Sequence, residues 1–239
     1  MVEGPGCTRN GDCARRAVGR RVVAISGKKA AAVLAGKAAL PAGASLLSCI
    51  TVGKQLFMTF GNAPDIPHPG DQIGADGAAA VGGGALCLQV HFGMSGSLTL
   101  NGDSTKYGTK PDLDITLTAG VGGGAGEDAG GAAGHRSRIR CFGVGLTAVT
   151  TATPPRRLAQ LGNLDVCSAR FDPAAAAVAV RRNGVDGCNR YLADVLLDQG
   201  VLPGSGNIIK NEALHLVLRL PRSPNRPQSI PMRHWLACS

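Results

Sequence analysis

The chain has 239 residues, of which 44% are hydrophobic but only 3% aromatic, so aliphatic side chains must fill its core. Its net charge of +9 is uneven, because residues 1–134 carry 11 basic and 10 acidic residues whereas residues 135–239 carry 14 and 6. The sequence excludes a membrane-spanning helix, since no apolar run is long enough. The basic second half fits either a polyanionic partner or a basic surface kept for solubility.

The first half of the chain predicts a short helix followed by several β-strands. The helix falls within residues 4–18, and the strands are expected where polar and apolar residues alternate. The predicted strands are 22–26, 54–60, 86–92, 97–100, 113–117 and 139–142. Two segments rich in Gly and Ala, 62–85 and 120–134, are predicted loops. Short strands separated by turns indicate an antiparallel β-sandwich.

From about residue 150 the pattern becomes helical. Helices are predicted at 156–162, 173–182, 190–199 and 205–214. After Leu214 four prolines oppose a long helix, and a basic, irregular tail is expected. The predicted fold class is therefore α+β, with a β-sandwich domain at 1–150, an all-α domain at 151–215 and a divergent Pro-rich tail at 216–239.

Residues 196–214 contain the most informative turn of the sequence. An apolar helix end is followed by Pro203, Gly204, Ser205 and Gly206, and a second helix opens at Asn207. Free N–H groups and the positive end of the helix dipole make such a helix start a phosphate-binding site. An Asn at a helix start also serves as an ordinary cap, which is the competing interpretation.

The first residues of the chain offer a nucleophile. Val2 is small, so we expect the initiator Met1 to be removed, which exposes the α-amine of Val2. An α-amine has a pKa of about 7.7–8.0, so a substantial fraction is neutral near pH 7.4, unlike a lysine amine. Such an amine can attack a sugar C1′ and form a Schiff base. The adjacent Glu3 is a candidate for assisting departure of the base.

Several short segments, in order along residues 1–215, resemble one known family. They are Met-Val-Glu-Gly-Pro-Gly at 1–6, Gly-Lys-Gln-Leu-Phe-Met at 53–58, His-Phe-Gly-Met-Ser-Gly at 91–96, Leu-Asp-Val-Cys-Ser at 164–168 and the segment from 207 to 214. The family is that of formamidopyrimidine-DNA glycosylase and endonuclease VIII. Most members carry Pro where this chain has Val2, and the endonuclease VIII-like 3 branch carries Val there. The resemblance implies a helix–two-turn–helix motif around Asn207.

The resemblance also assigns roles to individual residues. Lys54 is implied to assist proton transfer and β-elimination or to hold a phosphate, although a lone lysine is often only a solvated charge. Met94 is implied to fill the gap left by the damaged base, the alternative being a core methionine. Asn207 is implied to bind the phosphate beside the lesion, with Lys210 adding positive charge.

The implied activity is that of a nuclear DNA glycosylase of base-excision repair. It would remove oxidised bases through a Schiff base on Val2, with a weak lyase activity on abasic sites. The expected partner is damaged DNA in single-stranded or opened form, bound by a monomer without membrane or small-molecule cofactor. Eight cysteines without a signal segment predict free thiols in a reducing compartment.

The family's C-terminal zinc finger has no counterpart in the sequence, because no paired cysteines follow Cys188. We therefore expect no structural zinc in this chain. Two alternatives remain at this point. One is a non-catalytic nucleic-acid-binding remnant that lost its activity with the finger. The other is an RNA-binding protein, which would have no need of a free α-amine.

Overall fold

The computed structural model describes residues 2–34, 40, 42–62, 85–102, 108–118, 136–184 and 190–219. This part of the chain folds as a mixed α+β structure of eight strands and six helices. In chain order the elements are α1 (Gly4–Arg15), β1 (Val22–Ser26), α2 (Ala30–Leu34), β2 (Ser45–Val52), β3 (Gln55–Gly61), β4 (Leu86–His91), β5 (Ser97–Leu100), β6 (Leu113–Leu117), β7 (Ser137–Phe142), β8 (Gly145–Val149), α3 (Thr153–Leu161), α4 (Pro173–Gly184), α5 (Leu192–Leu197) and α6 (Asn207–Arg219). None of the described helices is long and apolar enough to cross a membrane.

The strands form two four-stranded antiparallel sheets. One has the order β1-β6-β7-β5 and the other β2-β3-β4-β8. Strands β2 and β3 form a hairpin in which Val52 pairs with Gln55, so Gly53 and Lys54 make a two-residue turn. Gly53 has φ +61°, and glycine at the first turn position is typical of a type II′ hairpin.

The main core contains side chains from both sheets and from α1. On β3 the side chains of Leu56, Met58 and Phe60 enter this cluster, and Phe57 points to the other face of the sheet. There Phe57 packs with Val52 and Cys87 against Leu158 and Leu161 of α3. Because α3 covers this face of β3, the turn between β2 and β3 lies close to the helical half of the chain.

Most of the predicted elements are present, with small shifts at their ends. Strands β1, β5 and β6 have the predicted bounds, and the predicted helices all exist. Three elements were not predicted: α2, β2 and β8. The prediction that Lys54 lies in a strand is wrong, because the two-residue turn occupies it and β3 begins at Gln55.

The last described helix is longer than predicted. Helix α6 continues through Arg219, so the first residues of the segment predicted as an irregular tail are helical. The nearest proline in the sequence is Pro221, which allows the helix to extend this far. Residues 220–239, the predicted loop at 120–134 and nearly all of the one at 62–85 lie outside the described residues.

Candidate active site and nucleic-acid interface

The carboxylate of Glu3 caps the helix at the far end of the described chain. It is only 7% exposed, and its two oxygens accept the N–H groups of Ile208 at 2.7 Å and Ile209 at 3.2 Å. A negative charge is favoured at a helix N-terminus, and bonds from N–H to carboxylate are strong ones. A Cβ at Gly206 would overlap this carboxyl group, which explains why glycine stands there.

This cap corrects one expectation about the turn at 203–207. The first N–H groups of α6 were predicted to be free for a phosphate, but Glu3 occupies those of Ile208 and Ile209. The Asn207 N–H makes no hydrogen bond to another described residue, and the Asn207 side chain is exposed. Its Oδ1 lies 3.3 Å from the Lys210 Nζ, so the two predicted phosphate ligands are neighbours.

The nitrogen of Val2 lies beside the turn that follows β4. It donates a hydrogen bond to the Gly93 carbonyl at 3.2 Å, and Gly93 has φ +56°. Met94, the next residue, is 72% exposed, which rules out the core methionine that the sequence left open. The start of α1 is also tied to the turn before α6, because the Gly4 N–H bonds to the Gly204 carbonyl at 2.9 Å.

Lys54 projects from the β2–β3 turn in the same region. Burial lowers the pKa of its amine, and the negative charge of Glu3 acts in the opposite direction. The lowered pKa raises the fraction of neutral amine available at a given pH. The influence of Glu3 places these two predicted catalytic groups within electrostatic reach of each other.

A buried aspartate connects the Lys54 turn to the helical half. Asp165 is 5% exposed, and its Oδ2 accepts the Gly53 N–H at 2.6 Å. Its Oδ1 accepts the Cys167 N–H at 2.9 Å, and the neighbouring Val166 N–H bonds to the Pro203 carbonyl at 3.1 Å. The loop at 165–167 therefore holds both the Lys54 turn and the turn before α6.

Beside this turn lies a pocket whose described lining is basic. Lys54, His91 and Arg157 all line it, and no carboxylate does. The Arg157 Nε is buried without a hydrogen-bond partner among the described residues. The His91 Nδ1 accepts the Gly93 N–H at 3.3 Å, which leaves the other ring nitrogen for a ligand. Such a lining attracts an anion.

Comparison with known proteins gives the family. Endonuclease 8-like 3 of Mus musculus is 31% identical over 245 aligned positions, which cover 90% of this chain and 33% of the relative. The protein of the same name from Bos taurus is 33% identical, with the same coverage of both chains. Over nine-tenths of its length the chain resembles the endonuclease 8-like 3 proteins, a branch of the formamidopyrimidine-DNA glycosylase and endonuclease VIII family. It spans about a third of the length of these relatives, and no protein-family model matches it.

Solved structures of DNA glycosylases share the fold of this chain. A viral DNA glycosylase aligns with a TM-score of 0.63 at 17% identity, covering 92% of this chain and 72% of its own. MutM in complex with DNA containing carbocyclic 8-oxo-G aligns with a TM-score of 0.53 at 17% identity, covering 89% and 67%. At these identities the likeness concerns the fold alone.

Two cysteines near the site are poor nucleophiles. Burial and the charge of Asp165 raise the pKa of the Cys7 thiol to about 12, and the same causes raise that of Cys167 to about 11. A thiol reacts as its thiolate, so both are almost inert at neutral pH. All six described cysteines are free. The Val2 nitrogen is therefore a better candidate nucleophile than these thiols.

The sequence identified the candidate reacting groups but not the residues that hold them in place. The Gln199 Oε1 accepts the Gly204 N–H at 3.1 Å, and its Nε2 donates to the Ser205 carbonyl at 2.8 Å. Asp165 holds the Lys54 turn in the same manner. Asp165 lies in the segment 164–168 that carries the family resemblance, and Gln199 lies in the turn segment 196–214, but neither has a spacing that reveals its partner.

Proposed function

We propose that this chain is the catalytic part of a DNA glycosylase that removes oxidised bases, with an associated weak lyase activity on abasic sites. The observation that carries the proposal is the meeting of both ends of the described chain. Glu3, the residue that follows the nucleophile candidate Val2, lies against the first turn of α6, where Asn207 is exposed. A phosphate bound at Asn207 would thus place its sugar close to the Val2 nitrogen.

The proposed reaction begins after removal of Met1. The neutral α-amine of Val2 attacks C1′, a bond from nitrogen to C1′ forms, and the glycosidic bond breaks as the departing base takes up the proton that the attacking nitrogen releases. The nitrogen lone pair then breaks the bond from C1′ to the ring oxygen, which takes a proton from water, giving a protonated Schiff base between Val2 and C1′. The peptide N–H of Val2 donates to the Gly93 carbonyl, and once Met1 is removed the same carbonyl would orient the amine by accepting one N–H while the nitrogen lone pair stays free.

Glu3 acts mainly through its charge in this proposal. Both of its oxygens accept backbone N–H groups, so the carboxylate stays fixed beside a sugar that becomes positively charged in the transition state. Lys54 serves the later elimination step, in which a proton leaves C2′ and the 3′ phosphate departs. Its lowered pKa supports a role as the base. Each of these steps uses only groups of the chain, so the proposal requires no cofactor.

The residues around the site provide contacts for the nucleic-acid strand in this proposal. Asn207 and Lys210 would hold the phosphate beside the lesion, and the exposed Met94 would fill the space left by the extruded base. The α5–α6 segment would serve as a helix–two-turn–helix motif, and the two sheets as the β-sandwich of the family. The proposed substrate is damaged DNA, single-stranded or opened, bound by a monomer in the nucleus.

Borohydride trapping tests the proposal. Untagged protein with Met1 verified as removed is mixed with a single strand that contains a hydantoin lesion, and borohydride reduces any Schiff base to a stable adduct. We expect an adduct joined to Val2 and none when an N-terminal tag blocks that residue. Equal trapping by the blocked protein would refute the amine mechanism. Salt-dependent binding with no product would instead support a non-catalytic binding protein.

A further inference from the structure

Asp165 is a buried carboxylate that the proposed reaction does not use. It is 5% exposed, and no described lysine or arginine forms an ion pair with it. Burial of an unpaired charge is unfavourable unless hydrogen bonds satisfy it. Its two oxygens meet this requirement with the N–H groups of Gly53 and Cys167.

The bond to Gly53 acts on the residue next to Lys54. At 2.6 Å it is a short charge-assisted hydrogen bond, and it fixes the peptide group that enters the two-residue turn. The turn also packs tightly, since a Cβ at Gly53 would lie 3.0 Å from the Pro203 Cβ and 3.1 Å from the Gly204 nitrogen. The direction in which Lys54 leaves the backbone is therefore set from the helical half of the chain.

Asp165 and Glu3 each accept hydrogen bonds from backbone N–H groups in the other half of the chain. Glu3, on the N-terminal side, holds the N–H groups of Ile208 and Ile209, whereas Asp165, on the C-terminal side, holds that of Gly53. Together these hydrogen bonds hold the N-terminal and C-terminal halves of the chain against each other on either side of the proposed reacting groups. A loose turn would leave Lys54 attached to the fold but free to swing away from the sugar.

We propose that Asp165 is a positioning residue that sets the Lys54 amine against the sugar, so that strand cleavage depends on Asp165 through Lys54. This inference rests on the proposed function for its effect on catalysis. Asn at 165 keeps the shape but presents an NH₂ group to one of the two backbone donors, so one hydrogen bond becomes a contact between donors.

The decisive experiment is a double-mutant cycle between Asp165→Asn and Lys54→Ala. The measured quantity is the single-turnover rate of cleavage of a single strand with a preformed abasic site. We expect D165N to slow cleavage at least tenfold with affinity for the strand unchanged within twofold. In the K54A background D165N should have no further effect, because residues that act through one another are not additive. Full additivity, or unchanged cleavage by D165N, would overturn the proposal.

Asp172→Asn is the matched control. Asp172 also accepts backbone N–H groups, those of Ala174 at 2.8 Å and Ala175 at 3.1 Å, at the start of α4 rather than at the Lys54 turn. We expect D172N to leave cleavage within twofold of the unsubstituted protein. If D165N fails to fold, Gly53→Ala strains the same turn from the other side, and its effect should likewise vanish in the K54A background; an additive effect there would overturn the proposal.

An exchange measurement separates this inference from the proposed function. If neither the unsubstituted protein nor K54A cleaves the strand, the proposed lyase function fails. The Gly53 amide still reports on Asp165, because its exchange with solvent, followed by NMR, requires the hydrogen bond to open. We expect exchange at least tenfold faster in D165N and unchanged in D172N. Equal exchange in all three proteins would show that Asp165 does not hold the turn.

Discussion

The substitution Gly206→Ala tests whether the Glu3 cap holds the two ends of the described chain together. The added Cβ would overlap the Glu3 carboxyl group and lie 2.5 Å from its Cγ, so the carboxylate must leave the N–H groups of Ile208 and Ile209. Gly206 has no positive φ, so alanine fits the local backbone and crowding is the only obstacle.

The expected loss of stability follows from the two hydrogen bonds. A bond to a charged group contributes about 1.5–3 kcal/mol, and released N–H groups recover part of this from water. Replacing Gly by Ala at a permitted φ returns about 0.4–1 kcal/mol by restricting the unfolded chain. We therefore expect a net loss of about 1–3 kcal/mol, built from these two terms. For a chain of this size that corresponds to a fall in Tm of about 3–10 °C.

Thermal unfolding followed by circular dichroism measures this change. Gly184→Ala is the control, because a Cβ there would meet the nearest side-chain atom, on Val195, at an ordinary 3.5 Å. Glu3→Ala removes the same hydrogen bonds without crowding, so adding G206A to the E3A variant should lower its stability little further. The reasoning is wrong if G206A has the same Tm as G184A, or if the loss of stability caused by G206A adds in full to the loss caused by E3A.

Two further predictions concern Arg157 and Lys54. Replacing Arg157 by Ala should weaken binding of a single strand and reduce the slope of log affinity against log salt by about 0.7, as expected for one lost phosphate contact. Fluorescence anisotropy over a salt series measures this slope, and Arg16→Ala, at an exposed position, serves as the control. Equal slopes for the two variants would exclude Arg157 from the interface. Because burial lowers the pKa of Lys54, strand cleavage on an abasic site should rise with pH at a midpoint below that of an ordinary lysine, and K54A should lose this rise. Since the charge of Glu3 raises that pKa, Glu3→Gln should move the midpoint to lower pH, and a shift to higher pH would contradict the assignment.

Strand β6, in which polar and apolar residues alternate, was predicted from the sequence, whereas β2, which lacks this alternation, was missed. Strand β6 has the predicted bounds, because its apolar residues alternate and end at clear turns. Strand β2 was missed because Ser-Leu-Leu-Ser-Cys-Ile-Thr-Val does not alternate. Its pairing with β3 is irregular between Leu46 and Ser48, and α3 contacts it from the other face. A strand covered on both sides has little period-2 signal.

The candidate site was predictable in its members but not in its assembly. Val2, Glu3, Lys54 and Asn207 were identified by resemblance to a family, and chemistry explained why an α-amine suits the reaction. Nothing in the sequence indicates that Glu3 bonds to residues more than 200 positions away, because a cap is ordinarily supplied by a neighbouring residue. The role of the isolated Asp165 also became visible only when its oxygens were found on Gly53 and Cys167.

The distance along the chain between Glu3 and its partners has a consequence for biosynthesis. A ribosome must translate past Ile209 before the N-terminal carboxylate can find its donors, since they lie 205 and 206 residues downstream. Closing so long a loop is entropically costly, and contacts of this range form late in folding. Glu3 therefore leaves the ribosome long before its partners exist, and the cap that it forms can assemble only after the first turn of α6 has been synthesised.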